Sequence, residues 1–411
     1  MTTNIRRIQV EASQFVPINR GSSLCKAKSP DISGSSERDS SRGTCKIGKV
    51  CTMKHIVYGI FIGLLLGGVF GSSTVSFAGK WEPKANMHVG RYALATSVVN
   101  GKVYAIGGQD NSPQIQPPVE EFDPVANTWT QKSRIPVGRF LLSASTVGEK
   151  IYVIGGFDGL DAFARVDEYD PKTDTWTQKA DMPTPRLGLT TVTVRKKIYA
   201  IGGADADMIP SGAVEVYDPA TDTWAAKANM PNPRWNLSSA AVLGTIYVFG
   251  GCSEDTDRKG SKLVEAYEPI ADIWTRKADL WLDINGTAAS AVGNGMIYVF
   301  GGQKWEGRLE KGGVKAAGKW TIYKTVLEYD RTKNRWRMVE EMPTERWGLG
   351  TGVVDGKIYA VGGWPRRIDW WANREKTEEY TPDGWPFPAN LLSVSPRGKL
   401  TTTWGEIKHR Q

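Results

Sequence analysis

Along this chain, hydrophobic and polar residues fall into one unit that recurs. The unit is clearest between Ile151 and Arg186. An apolar and aromatic run, Ile151-Tyr152-Val153-Ile154, ends at Gly155-Gly156 and predicts a buried strand. A small-residue run precedes each such hairpin, as at Gly188–Thr193, and predicts a strand of its own. A third strand ends in an aromatic at Phe122, Tyr169, Tyr217, Tyr267, Tyr329 and Tyr380. Asp-Pro then opens a tight turn, proline being preset for its second position. Seven residues after the aromatic a tryptophan starts a fourth strand, at Trp129, Trp176, Trp224, Trp274 and Trp336. These indoles are read as packing between adjacent sheets; removing one should cost about 3–5 kcal/mol.

The diglycine recurs at Gly107, Gly155, Gly202, Gly250, Gly301 and Gly362, at spacings of 48, 47, 48, 51 and 61 residues. Two glycines at a strand end let neighbouring backbone approach where side chains would clash. Period, diglycine, aromatic–tryptophan spacing and the MPxxR-like unit ends together resemble the kelch repeat family from about Trp81 to Trp385. The resemblance implies an all-β fold, a six-bladed kelch-type β-propeller, and leaves the activity open.

The chain opens this pattern out of phase. Trp81 precedes Arg91 by ten residues, as Trp176 precedes Arg186 and Trp224 precedes Arg234. The last unit has Trp385 only five residues after Tyr380, followed by Pro386 and Pro388, and proline removes ladder donors. The strand near Trp81 is therefore expected to close the sixth blade and remove its open edges.

Charge and cysteines describe the leader more than the propeller. The 411 residues carry 52 Lys+Arg and 44 Asp+Glu, a net of +8. Residues 1–78 hold 10 of the basic and 4 of the acidic residues, so the remainder carries 42 against 40, a net of +2. No nucleic-acid partner is expected. Residues 1–52 are Ser-, Lys- and Arg-rich without apolar periodicity and are read as disordered, an upstream mistranslation ahead of an initiator at Met53. Residues 53–78 have the charged start, the apolar run Ile56–Phe70 and the Ser76-Phe77-Ala78 site of a signal peptide; a cytoplasmic tail with an uncleaved anchor is the rival reading. Export to the periplasm, cell surface or medium is expected, with no membrane span in the mature chain. Residues 79–388 are assigned to the propeller, expected to be a monomer, and 389–411 to a C-terminal tail. Cys25, Cys45 and Cys51 precede Met53, so Cys252 stands alone and the propeller is expected to rely on packing, not disulfides.

Candidate chemistry lies in the connections. In a four-stranded antiparallel blade the loops between strands two and three and those between blades emerge on one face. From diglycine to third-strand aromatic the segments run 13, 12, 13, 15, 26 and 16 residues. The excess brings Trp305 and Trp320 in blade five, and Trp364, Arg366, Arg367, Trp370 and Trp371 in blade six. Clustered tryptophans suit sugar rings or apolar partner side chains, and a satellite core is the alternative. A second ring follows the blade tryptophans: Arg91, Arg139, Arg186, Arg234 and Arg346, with Ile284 in blade five. Four of these arginines precede an aromatic, Tyr92, Phe140, Trp235 or Trp347. By resemblance to kelch domains that bind acidic segments, they are expected to point to the channel mouth and clamp a carboxylate. With only His88 and His409 after the leader, neither a metal site nor a cofactor is expected. The reading is a non-enzymatic module binding a protein or glycan through this face. The alternative is a small carbohydrate isomerase resembling the periplasmic sialic-acid mutarotase, whose chemistry needs only an acid and a base.

Overall fold

The computed structural model describes residues 79–110, 117–253, 260–306, 318–365 and 374–382. The expectations for 1–52, 53–78 and 389–411, and for Arg366, Arg367, Trp370, Trp371 and Trp385, lie outside the described residues. Six four-stranded antiparallel sheets follow one another, each a blade. Blade one consists of Ala95–Val99, Lys102–Ile106, Val119–Asp123 and Thr128–Lys132, paired in sequence order. Among the described residues, no helix is long and apolar enough to cross a membrane.

Within a blade, burial follows the chemistry of each strand. The second strand, as in Lys150–Ile154, is buried at every residue after its first, whereas the fourth, as in Thr175–Gln178, is largely exposed. First strands are built from alanine, serine, threonine, glycine and valine, because six of them converge on one axis. Lacking a shared ladder there, neighbouring first strands are tied by hydroxyls: Ser97 to Thr146 at 2.6 Å, Thr190 to Ser239 at 2.8 Å and Ser290 to Thr351 at 2.8 Å. The apolar core is divided among the gaps between blades. One cluster, for example, joins Phe249 and Tyr247 of blade four to Tyr329 and Trp336 of blade five.

Blade six is closed by the N-terminal strand, as its phase predicts. Lys80–Lys84 pairs antiparallel with Thr377–Thr381, placing Trp81 opposite Tyr380 with ring centroids 5.0 Å apart. Each blade tryptophan donates its indole N–H to a carbonyl of the preceding blade, as Trp176 does to Ser133 O at 3.2 Å and Trp224 to Ala180 O at 2.9 Å. Trp81 makes the same bond to Glu340 O at 3.1 Å. The packing role of these tryptophans holds throughout.

Candidate functional site

The connection from each fourth strand to the next blade's first strand carries the arginine, and the structure turns this side chain inward. Arg91, Arg139, Arg186, Arg234 and Arg346 are all 0% exposed. Each meets an acid on the third strand of its own blade. Arg139 Nη2 donates to Asp167 Oδ2 at 2.8 Å, Arg186 Nη2 to Glu215 Oε2 at 2.7 Å, and Arg346 Nη2 to Glu378 Oε2 at 2.6 Å. Arg234 Nη1 lies 2.9 Å from Glu265 Oε2, and Arg91 pairs with Glu120. Spare donors reach backbone carbonyls, such as Arg186 Nη1 to Gly202 O at 2.6 Å. Burial pulls each guanidinium below its usual range, and the neighbouring acid pushes back. The expected carboxylate clamp is therefore corrected: these charges are already neutralised inside the blades.

Blade five supports this. It has Ile284 at the arginine position and Leu327 at the acid position, and both lie buried in one core cluster. Both partners of the ion pair have been exchanged together, which an internal pair allows and a ligand clamp does not require.

Two rings of backbone hydrogen bonds circle the channel beside these arginines. The second glycine of each diglycine donates to the carbonyl at the next blade's arginine position, from Gly108 to Arg139 at 3.1 Å through to Gly363 to Arg91 at 2.9 Å. A Cβ on Gly203 would stand 2.9 Å from Leu187 O, so only glycine permits this approach. Two residues past the arginine position, Ala93, Leu141, Gly188, Asn236, Gly286 and Gly348 all adopt positive φ. Each donates its N–H to the equivalent carbonyl of the preceding blade, closing a circle from Ala93–Gly348 at 2.7 Å round to Leu141–Ala93 at 3.0 Å. The channel within encloses about 160 Å³ and is lined by four residues from every blade.

The residue between arginine and kink stands at the mouth. Tyr92, Phe140, Leu187, Trp235, Asn285 and Trp347 form bridges to Gln109, Phe157, Ala204, Cys252, Gln303 and Trp364 respectively. Tyr92 packs against Trp347 and Trp364 with centroids at 5.3 and 4.5 Å, and the Arg374 guanidinium lies 3.8 Å over the Trp364 ring. Burial pushes the Tyr92 hydroxyl up to about 12. Phe140 packs edge-on against Phe157 at 5.6 Å. Trp235 and Trp347 lie beside channel-lining glycines: a Cβ at Gly188 would be 3.0 Å from Trp235 Cε3, and one at Gly286 would be 3.1 Å from Trp347 Cε3.

The blade-five tryptophans are separate from this ring. Trp305 and Trp320 face each other across an added hairpin, Gln303–Glu306 with Lys319–Ile322, their centroids 5.1 Å apart. The hairpin is braced by Lys304 Nζ, 3.3 Å from Asp283 Oδ2. Trp320 is exposed, and so is Trp281, which stands where Pro183 and Pro231 stand in other units. Sequence reasoning missed Trp281, Asn285 and Gln303. The signal available for Trp281 and Asn285 was their departure from an otherwise regular repeat.

Residues 74–251 and 179–363 match the family model of the KLHDC2/KLHL20/DRC7 Kelch-repeats domain. A 38-residue stretch is 50% identical to an F-box/kelch-repeat protein of Arabidopsis thaliana, covering 9% of this chain and 10% of that protein. A 108-residue stretch is 30% identical to Kelch-like ECH-associated protein 1B of Danio rerio, covering 26% of this chain and 16% of that one. The chain thus aligns with only a small part of either relative's length. The solved structure of YjhT is similar with a TM-score of 0.62 and 15% identity, covering 72% of this chain and 95% of that one, a likeness of fold alone.

Proposed function

Because this chain belongs to the kelch-repeat family, which fixes a scaffold and not a ligand, we propose that it is a binding module. A protein or glycan is held at the face where the inter-blade and second-to-third-strand connections emerge. One observation carries the reading. The mouth on that face is ringed by aromatic side chains, Tyr92, Phe140, Trp235, Trp347 and Trp364, while the arginines beside it are internally paired. Recognition then rests on ring faces and neutral hydrogen-bonding groups, a composition suited to sugars and to apolar or aromatic protein side chains. The propeller acts after export, once residues 53–78 have been removed.

A glycan and peptide array probed with the purified chain tests this. Binding is expected on one of the two arrays, with at least tenfold loss in Trp235→Ala and Trp347→Ala. No binding on either array, or binding that both variants retain, would overturn it.

A second reading, a small carbohydrate isomerase, is favoured by His88. Its Nδ1 lies 2.7 Å from Glu120 Oε2, while its ring is half exposed, the arrangement of an oriented acid–base pair. Anomer interconversion of reducing sugars, followed by NMR, would be accelerated by the intact chain and not by His88→Gln. Equal rates with and without protein would remove this reading.

A further inference from the structure

Blades two and three carry an exposed apolar strip that the core does not use. In their second-to-third-strand connections Leu160 is 79% and Ile209 56% exposed. A single exposed apolar side chain is ordinary, but these two belong to adjoining segments. The connection between the two blades lies between their loops. Its Met182 and Arg186 donate N–H to Ala164 O at 2.8 Å and to Phe163 O at 3.0 Å on one side, and its Leu187 bridges Ala204 on the other. Pro183 and Pro185 of that connection are exposed as well. The strip is continuous with the mouth through Phe157, packed against Phe140.

Both loops hold their apolar residue out by the same device. Asp158 and Asp205 each stand three residues past the first glycine of their diglycine. Asp158 Oδ1 accepts the N–H groups of Leu160 and Asp161, both at 2.8 Å. Asp205 Oδ1 accepts those of Ile209 at 2.9 Å and Asp207 at 3.0 Å. Met208 completes the second turn at a φ of 65°, a region where a side chain is strained. Loops fixed in this way have little freedom to lose when a partner docks.

Charge defines what docks. Residues 157–164, 181–185 and 204–213 carry five aspartates, Asp158, Asp161, Asp181, Asp205 and Asp207, and no Lys, Arg or His. Two of them, Asp158 and Asp205, shape the turns. The Asp161 and Asp207 side chains are exposed and make no hydrogen bond or ion pair among the described residues, so the loops do not need them. The bases that follow these stretches are already held, Arg165 by Asp167 and Gln178, and Arg186 by Glu215. Nor is the charge a property of the repeat, because the described part of the same connection in blade five carries Lys304, Lys319 and Lys324 against Glu306.

Resting on the reading of this face as a binding surface, we infer that its partner is a protein whose docking segment carries lysine or arginine beside apolar side chains, laid from the mouth outward over blades two and three. Leu160, Pro183, Pro185 and Ile209 take the apolar side chains, and the aspartates take the cations. A neutral or acidic segment would cover these carboxylates without supplying a counter-charge.

The test is a randomised heptapeptide library panned on the purified chain, with the enriched peptides synthesised and their affinities measured by fluorescence anisotropy. Peptides that combine lysine or arginine with leucine, isoleucine, valine or phenylalanine should be enriched at least tenfold over acidic ones. Their binding should weaken about fivefold between ~50 and ~200 mM salt, as screening of exposed charges requires. Asp161→Asn with Asp207→Asn should weaken binding tenfold or more and remove most of that salt dependence. Leu160→Ser with Ile209→Ser should cost at least tenfold as well. All four positions are exposed, so both double variants should melt as the parent chain does. Trp320→Ala should leave binding unchanged. Enrichment of acidic or uncharged peptides, full affinity in either double variant, or loss only in Trp235→Ala and Trp347→Ala would overturn this inference while leaving the binding face in place. So would a glycan ligand without any peptide. Failure of both ligand kinds would overturn the binding reading as well.

Discussion

A buried arginine and its acid can be exchanged for two aliphatic side chains, as Ile284 and Leu327 of blade five demonstrate. The energetics agree: removing one partner strands a buried charge at about 3–5 kcal/mol, whereas replacing both by packed apolar groups is often neutral. Arg186→Ile should therefore lower unfolding free energy by about 3–5 kcal/mol, and adding Glu215→Leu should restore most of it. Urea denaturation of both variants checks this; a double variant as unstable as the single one would contradict the structural assignment. The position of these arginines was legible from the ten-residue offset after each tryptophan. Their burial was not, because Glu215 stands 29 residues from Arg186 and meets it only once the third strand pairs. The simultaneous loss of arginine and acid in blade five was the sequence signal for it.

The tight turn between third and fourth strands does more than reverse the chain. Asp222 Oδ1 accepts the Tyr217 hydroxyl at 2.5 Å and the Ala180 N–H at 2.9 Å, tying the turn to the preceding blade. Asp272 is held in the same way by Tyr267 and Ala228. Those bonds, the tyrosine's first, hold both carboxyls below their usual range. A depressed folded-state value means stability that is present above the unfolded value of about 3.9 and lost as pH falls through the folded value. In blade five Asn334 makes the equivalent contacts, to Tyr329 at 2.6 Å and Ala278 at 2.8 Å, without titrating. Asp222→Asn with Asp272→Asn should accordingly keep near-native stability at pH 7 and move the acid-unfolding midpoint to lower pH, read by circular dichroism. An unmoved midpoint would contradict the linkage. The four regular strands of each blade were legible because burial repeats with the period. The hairpin carrying Trp305 and Trp320 was not, because Gln303–Glu306 and Lys319–Ile322 have little apolar pattern and pair as an addition to the blade. Only the length of the segment announced it.

At the scale of the molecule, the mouth exists because six blades close into a ring, and the ring closes through its own first strand. The backbone bonds from Gly363 to Arg91 and from Ala93 to Gly348 complete the two circles between blades six and one. Lys80–Lys84 supplies the outer strand of blade six, and Trp81 supplies its indole to blade five. This closure was legible from the phase of Trp81 and Arg91, whereas the circle of N–H bonds at the kinks was not, since Ala93, Leu141 and Asn236 take part in it beside Gly188, Gly286 and Gly348 and mark no common residue type. Deleting residues 79–89 tests the closure most directly. The deletion removes Trp81 and leaves Thr377–Thr381 as an open edge, at a cost of about 3–5 kcal/mol for the void alone, against the ~5–15 kcal/mol that holds a typical domain together. Thermal unfolding with light scattering should show the shortened chain melting far below the intact one and aggregating. Equal melting temperatures for the two would contradict the closure.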